Sequence, residues 1–399
     1  MINSEFVIRT KELLPDDYEA LFAAIDTEPP VSIRFNRYKA SGTVDYKPVL
    51  WCDRGYYLPE RPSFTFDPLF HAGVYYVQEA SSMFVEQAFK TILASEGNAG
   101  LSVLDLCAAP GGKSTHILDL LPDNSLLVAN EIIRSRCAIL AENIAKWGNP
   151  NVIVTNSAPA RFAKEKGLFD VIIADLPCSG EGMFRKDRVA RKEWSVDNVL
   201  MCADRQRHIV SDVWQALKPG GRLIYSTCTF NTEENEDNVS RLASELGAEV
   251  IDIPVKPEWN IVGALKHDIP AYRFFPHRTR GEGFFLAMMR KNGSATGRVQ
   301  SEISRKIQNL CNTYYVPSAA SVLSTAYDRN SMPAIDLSYD QAIKYLRREA
   351  LILPTDVPKG YITVTYQGHP LGIVKNIGSR ANNLYPIEWR IRDQLKIKN

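Results

Sequence analysis

The chain has 399 residues, 47 Lys or Arg against 46 Asp or Glu, and a hydrophobic share of 45%. That is too long for one ordinary core, so two or three domains of common globular composition are expected. No run approaches the roughly 18 apolar residues of a membrane span, and the opening MINSEFVIRTKELL lacks the apolar core of a secretory signal.

The near-zero net charge hides an asymmetry. Positions 341–399 hold ten Lys or Arg against four Asp or Glu, a basic tail on a slightly acidic body. Such a tail suits contact with phosphates. The seven cysteines are scattered without a CxxC pair, which argues for reduced thiols in a cytoplasm and against a disulfide framework or a zinc site.

In chain order, Val31–Lys39 alternates apolar and basic residues and predicts a half-buried strand. The Pro- and aromatic-rich stretch from Tyr56 to Tyr76 predicts irregular structure packed on a neighbour. From Leu101 to Arg290 short β-branched runs alternate with helical periods. Ser102–Cys107, Ser125–Glu131, Asn151–Asn156, Phe169–Pro177 and Arg222–Cys228 read as five buried strands. Ile132–Trp147 and Asp204–Leu217 read as helices, the second closed by Lys218-Pro219-Gly220-Gly221. This β–α alternation predicts a doubly wound α/β sheet, mostly parallel, with Phe284–Arg290 as a last antiparallel strand. Lys291–Val299 reads as a linker. Beyond it, Tyr361–Tyr366 and Leu371–Val374 form a predicted hairpin around Gln-Gly-His-Pro, with a helix near Asp340–Arg348. Three domains are expected: 1–85, 86–292 and 293–399, the last small and β-rich.

Three segments carry chemistry. Asp105–Thr115, DLCAAPGGKST, leaves the first strand and enters a helix, and its Pro and glycines allow a tight turn close to a ligand. It is neither a P-loop, because Cys107 stands where the Walker pattern needs Gly, nor GxGxxG. An ATP-using P-loop reading of Gly112-Lys113-Ser114 also leaves the later thiols unexplained. Glu131 ends the second strand, where an acid can accept both ribose hydroxyls of a nucleoside cofactor. A loop after strand one with an acid after strand two is the usual layout of S-adenosylmethionine enzymes. Ala174–Asp187 places Asp175 and Cys178 at the end of the fourth strand; Tyr225–Asn238 places Cys228 at the end of the fifth. Adjacent strands bring both thiols to one cavity.

Two thiols beside a methyl donor suggest one reaction. Carbon 5 of cytosine is too weak a nucleophile until a thiolate adds to carbon 6. A cation, Lys113, favours the thiolate; an acid, Asp175, steadies the pyrimidine near N3 and N4; a second thiol, Cys178, assists release. The target base has to be unstacked to reach such a pocket.

These motifs resemble those of the Sun-type (NOP/Sun) RNA cytosine-5 methyltransferases. The resemblance implies a Rossmann-like methyltransferase domain with a seven-stranded mixed sheet, a small N-terminal α+β domain and a C-terminal PUA-like RNA-binding domain. It implies Cys228 of Thr227-Cys228 as nucleophile and Cys178 of Pro177-Cys178 as the release residue. S-adenosylmethionine contacts are implied for Cys107, Ala108, Ala109, Pro110, Gly111, Gly112, Lys113, Glu131, Arg136, Asn156 and Asp175. Tyr75–Met83 and Val364–Pro386 are similar to the two ends of a bacterial ribosomal RNA member, which implies 16S ribosomal RNA or the small ribosomal subunit as partner. Transfer RNA, or a non-catalytic role in ribosome assembly, are the alternatives. The chain departs from the family after the third strand, where Ala158 stands in place of a common Asp and Asn156 or Ser157 is left to meet the adenine. A monomer without membrane or metal is expected.

Overall fold

The computed structural model describes residues 3–392 apart from 42–43, 98, 295–299 and 316. The N-terminal part begins with helices α1 (Ser4–Leu13) and α2 (Tyr18–Ile25). Strands β1 (Val31–Phe35), β2 (Lys47–Pro48) and β3 (Gly55–Leu58) follow, then α3 (Pro68–His71), β4 (Tyr75–Val77) and α4 (Val85–Glu96). The four strands form one sheet in the order β2-β3-β1-β4. The strand expected over Val31–Lys39 stops at Phe35 and is buried rather than half-exposed. The reason is Arg34, which points inward instead of to water. Its Nε donates to Gln78 Oε1 (2.8 Å), its Nη2 to Thr115 Oγ1 (2.7 Å), and its Nη1 pairs with Asp119 Oδ2 at 3.2 Å. A buried guanidinium needs such partners, and these lie on two different parts of the chain, so Arg34 ties the small sheet to the next domain. The Tyr56–Tyr76 stretch is less irregular than expected, since it holds most of β3 together with α3 and the start of β4.

The central part runs β5 (Ser102–Asp105), α5 (Gly112–Leu120), β6 (Leu126–Asn130), α6 (Arg134–Trp147), β7 (Val152–Thr155), β8 (Phe169–Asp175), α7 (Arg188–Glu193) and α8 (Val196–Trp214). It continues with β9 (Leu217–Thr227), α9 (Glu236–Leu246), β10 (Ala248–Ile251), β11 (Tyr272–Phe274), β12 (Phe284–Lys291) and α10 (Gln300–Leu310). The sheet order is β10-β12-β9-β8-β5-β6-β7, with an eighth strand, β11, on β12. Strands β5 to β9 are parallel, and β12 runs antiparallel between β9 and β10. Two apolar cores cover the two faces, one around Val103, Leu127 and Ile224, the other around Leu104, Val128 and Tyr225. Double-sided burial is why these strands read as unbroken apolar runs.

The expected helix Asp204–Leu217 is longer and earlier: α8 starts at Val196, where Ser195 accepts from Asn198 N, and ends at Trp214. Lys218–Gly221, expected to stop that helix, lies within β9. There the pairing with β8 steps from Phe169↔Leu217 to Val171↔Arg222, so the extra residues bulge out. The fifth strand is therefore longer than the expected Arg222–Cys228.

The linker expected over Lys291–Val299 begins inside β12, and 295–299 lie outside the described residues. Helix α10 then buries Ile303 and Ile307 in the same core as Leu104. After it the chain lies along the free edge of β7, with Thr313 bridged to Thr155 and Tyr314 N donating to Val154 O at 2.8 Å. The C-terminal part has β13 (Ala334–Asp336), α11 (Tyr339–Leu346), β14 (Gly360–Tyr366), β15 (His369–Asn376) and β16 (Ala381–Asn383), the strands in one four-stranded sheet. The hairpin β14–β15 forms as expected around Gln367-Gly368. Ser338 and Gln341 cap α11 reciprocally.

Candidate active site

The chain leaves β5 toward β6 and β7 on one side, then returns to β8 on the other, so β5 and β8 flank the switch point of the sheet. Ligands bind outside the carboxyl ends of strands at such a point. The loops after β5, β6, β7, β8 and β9 all emerge there.

Cys178 follows β8 and Cys228 follows β9. Their Sγ atoms stand 3.2 Å apart, with no disulfide between them, and both residues are half-buried. The hydrogen bond to Cys228 and burial together push the Cys178 thiol well above the ordinary cysteine range. Cys178 is thus the protonated partner. Asp175, the last residue of β8, accepts from Ser226 Oγ (2.7 Å) through Oδ1 and pairs with Lys113 Nζ (2.8 Å) through Oδ2. Burial works against the Lys113 ammonium, but Asp175, Asp105 and Cys228 outweigh it and hold its pKa above the ordinary lysine value. One fixed positive charge therefore serves the Asp175 carboxylate within reach of Cys228.

Two buried glutamates hold the cysteine loops in register. Glu181, from the Cys178 loop, accepts the backbone N–H groups of Phe230 and Asn231, both at 2.8 Å. Glu234, from the Cys228 loop, accepts from Ser179 N at 3.0 Å. Each loop thus lends a carboxylate to the backbone of the other. Gly182 and Gly283 let the backbones meet: Gly182 N donates to Cys228 O (2.9 Å), and a Cβ on Gly283 would lie 2.5 Å from Gly182 Cα. Glu181, Glu234 and Ser226 escaped the sequence reading. Their only signal was acidic residues inside otherwise small, polar motif loops, which also suits a solvated turn.

On the other side of the switch point, Cys107–Gly112 forms the turn from β5 into α5. Gly111 precedes the helix in the left-handed region (φ 113°), and no side chain caps α5. Arg136 Nη2 donates to Ala109 O (2.9 Å) and Asn143 Nδ2 to Pro110 O (2.8 Å), so α6 clamps this loop from behind. Burial pushes the Cys107 thiol up, and Cys107 with Ala108 packs against the core. Glu131 sits just past β6; its Oε1 accepts from Ile133 N (2.9 Å), whereas its buried Oε2 has no hydrogen-bond partner among the described residues. Arg136 Nη1 lies 3.4 Å from that oxygen. A buried unpaired acceptor is the feature a ribose hydroxyl satisfies. Asn156 spends both amide hydrogens on the carbonyls of Glu131 (2.6 Å) and Ile132 (2.9 Å). It braces the Glu131 turn. Its neighbour Ser157 accepts from Asn312 N through Oγ (3.2 Å), and Asn312 O accepts from Asn156 N (2.8 Å).

Burial pushes the Asp105 carboxyl from 3.8 up to about 7. Its folded pKa is raised, so between about pH 3.8 and 7 the native state holds a proton that the unfolded chain has released. Stability is then full at the acid end of that window and falls as pH rises through it. The side-chain swap Asp105→Asn keeps the acceptor for Ser114 Oγ (2.6 Å) and removes the titration. Its urea midpoint is expected to fall less than that of the unaltered chain between pH 5 and 8, which chemical denaturation at each pH reads directly.

Elsewhere, among the described residues, Cys52, Glu86 and His116 bring three metal-type donor atoms within 4.8 Å of one another. Glu86 is already engaged by His116 Nε2 (2.9 Å), Lys90 Nζ (2.8 Å) and Asp53 N (3.0 Å). Burial takes His116 down to about 4 and raises the Cys52 thiol, while against burial the partners of Glu86 hold its carboxyl below the usual range. This leaves a neutral imidazole and thiol on an ionised carboxylate as a hydrogen-bonded brace between α4 and α5.

Sheet order, loop and acid together define a methyltransferase of the S-adenosylmethionine-dependent class. The family described as 16S rRNA methyltransferase RsmB/F matches residues 90–290. The N-terminal domain of 16S rRNA methyltransferase RsmF matches residues 2–80, and the methyltransferase RsmF PUA domain matches 332–391. The chain is 30% identical to ribosomal RNA small subunit methyltransferase F of Enterobacter sp. (strain 638), over 98% of this chain and 96% of that protein. It is 29% identical to the protein of the same name from Escherichia coli (strain K12), over 97% and 96%. A methyltransferase homolog protein from Pyrococcus horikoshii, 26% identical, superposes with a TM-score of 0.61 over 72% of this chain and 95% of that one. The chain belongs to the RsmB/F family of 16S rRNA methyltransferases, with the N-terminal and PUA domains of RsmF. S-adenosylmethionine is its cofactor.

Proposed function

We propose that the chain methylates carbon 5 of a cytosine in 16S ribosomal RNA through a transient thioether between Cys228 and carbon 6 of the base. The observation that carries this reading is the pair of sulfur atoms 3.2 Å apart beside the Lys113–Asp175 ion pair, at the switch point of the sheet.

Cys107–Lys113, Glu131 and Asp175 would hold the cofactor, with Glu131 on its ribose, while Arg136 and Asn156 brace the loop and turn from behind. When bound, the cofactor supplies an electrophilic methyl group. The residues do the rest. Cys228 attacks carbon 6 as a thiolate, favoured by Lys113, and the electron pair of the 5,6 double bond becomes available at carbon 5. Asp175 bonds the pyrimidine edge at N3 and N4 as charge moves onto the ring, and Ser226 fixes its orientation. Once the methyl group is on carbon 5, the proton there must leave. The chief cause of the high Cys178 pKa is its neighbour Cys228. Alkylation of Cys228 removes that cause, so the Cys178 pKa falls, its thiol proton passes to solvent, and the resulting thiolate takes the carbon 5 proton. The electrons of the broken C–H bond re-form the double bond, and the Cys228 sulfur departs.

The reading is tested by bisulfite mapping of 16S, 23S and transfer RNA from cells lacking the protein, with the purified chain added back to the RNA. Loss and restoration of 5-methylcytosine in 16S RNA is expected. Restoration only in transfer RNA, or in none, overturns it.

A further inference from the structure

The structure assigns a second RNA-binding surface that is distinct from the basic C-terminal domain: a cationic groove between the N-terminal helices and the Cys178 loop that takes the sugar-phosphate strand of the substrate on its way to the thiols. This rests on the reading above and adds where the RNA lies.

Two neighbouring cavities of about 750 and 420 Å³ share Glu28, Pro29 and Arg185 in their walls. Arg185 joins them to the active site. It lies three residues beyond Gly182, whose N–H bonds Cys228 O, so the short 3-10 turn Glu181–Met183 links the groove wall to the Cys228 backbone. Arg185 itself is spoken for by Glu282, and Arg191 and Arg278 pair with Asp26 and Asp17. These pairs build the walls. Four further cations in the walls are exposed and have no carboxylate partner among the described residues: Arg61, Arg188, Lys192 and Arg280. Against two exposed wall carboxylates, Glu28 and Glu60, cations stay in excess; an excess of like charge costs a folded protein self-repulsion, and a phosphate backbone is the ligand that relieves it. The Arg280 guanidinium lies 4.4 Å from the centroid of the Tyr57 ring, and an arginine backed by an aromatic ring offers an unpaired base a plane to stack on. A polyanion of another kind fits the charges but not that stacking face. Hence a single-stranded RNA segment is the partner.

The test uses the full chain carrying Arg61→Gln, Arg188→Gln, Lys192→Gln and Arg280→Gln together. Affinity for a 16S RNA transcript is measured over a salt series, alongside donor affinity and the position of any methyl group formed. The salt slope is expected to flatten by about 0.7 for each phosphate no longer neutralised, up to about 3 for four, with at least a tenfold loss of affinity at low salt and donor affinity unchanged. The double variant Arg188→Gln, Lys192→Gln sits on the exposed α7 and is expected to show about half the change, should the fourfold variant fold poorly. An unchanged slope in both overturns the groove, while 5-methylcytosine formed by the unaltered chain leaves the catalytic reading intact. A flattened slope with no 5-methylcytosine from the unaltered chain means the reverse: the groove stands and the chemistry falls.

Discussion

Cys228→Ala is expected to abolish methyl transfer, a loss of roughly four orders of magnitude or more, and with it every denaturant-resistant protein–RNA adduct. Cys178→Ala is expected to do the opposite to the adduct. Attack and methyl transfer proceed, the carbon 5 proton stays, and a protein–RNA species accumulates on a denaturing gel while multiple turnover fails. The asymmetry has a physical source. The two sulfurs share one proton-sized gap of 3.2 Å, and burial together with the partner keeps that proton on Cys178. Lys113, paired with Asp175, sets its ammonium where its field reaches Cys228. If the Cys228 variant traps RNA and the Cys178 variant does not, the roles are reversed. If neither traps RNA yet both remain active, the thioether is wrong.

The second large effect is at Asp175. Replacement by Ala removes the group facing the pyrimidine edge and leaves Lys113 without its nearest carboxylate. A fall in kcat of about 10²–10³ is expected, the scale of losing one preorganised polar contact to a developing charge, and adduct formation fails with it. Asp175→Asn keeps the acceptor for Ser226 and offers an amide to N3, so it should recover part of that loss. Donor affinity, read separately by calorimetry, separates this role from cofactor binding. Equal defects in Ala and Asn variants, traced wholly to donor affinity, would confine Asp175 to the cofactor.

The strands of the central sheet were legible because each is buried on both faces, which writes an unbroken apolar run into the sequence. Cys178 and Cys228 were legible for the same reason: each follows such a run directly. Lys218–Gly221 misled because Pro and Gly signal a stop without saying what stops. They bulge out of β9 instead of ending α8. Arg34 was misread as solvent-facing because alternation cannot register a partner such as Asp119, 85 residues away. Glu181 and Glu234 were missed on similar grounds. Among their partners are backbone N–H groups on another loop, which leave no trace in composition, and side chains such as Trp194 and Gln206 on other segments.

The stretch from α10 to Tyr314 limits how the molecule can be dissected. A fragment ended at residue 292, where the last long strand of the sheet closes, would strip Ile303, Ile307 and Cys311 from an apolar core they help to fill. Two buried isoleucines alone account for roughly 3–6 kcal/mol, comparable to the whole margin by which a domain stays folded. The same cut would bare the hydrogen-bonding edge of β7, an invitation to self-association, and release the turn carrying Asn156 and Ser157. A fragment that keeps this core and edge therefore has to run through Tyr314, and the shorter one is expected to report on its own instability rather than on what the C-terminal domain contributes.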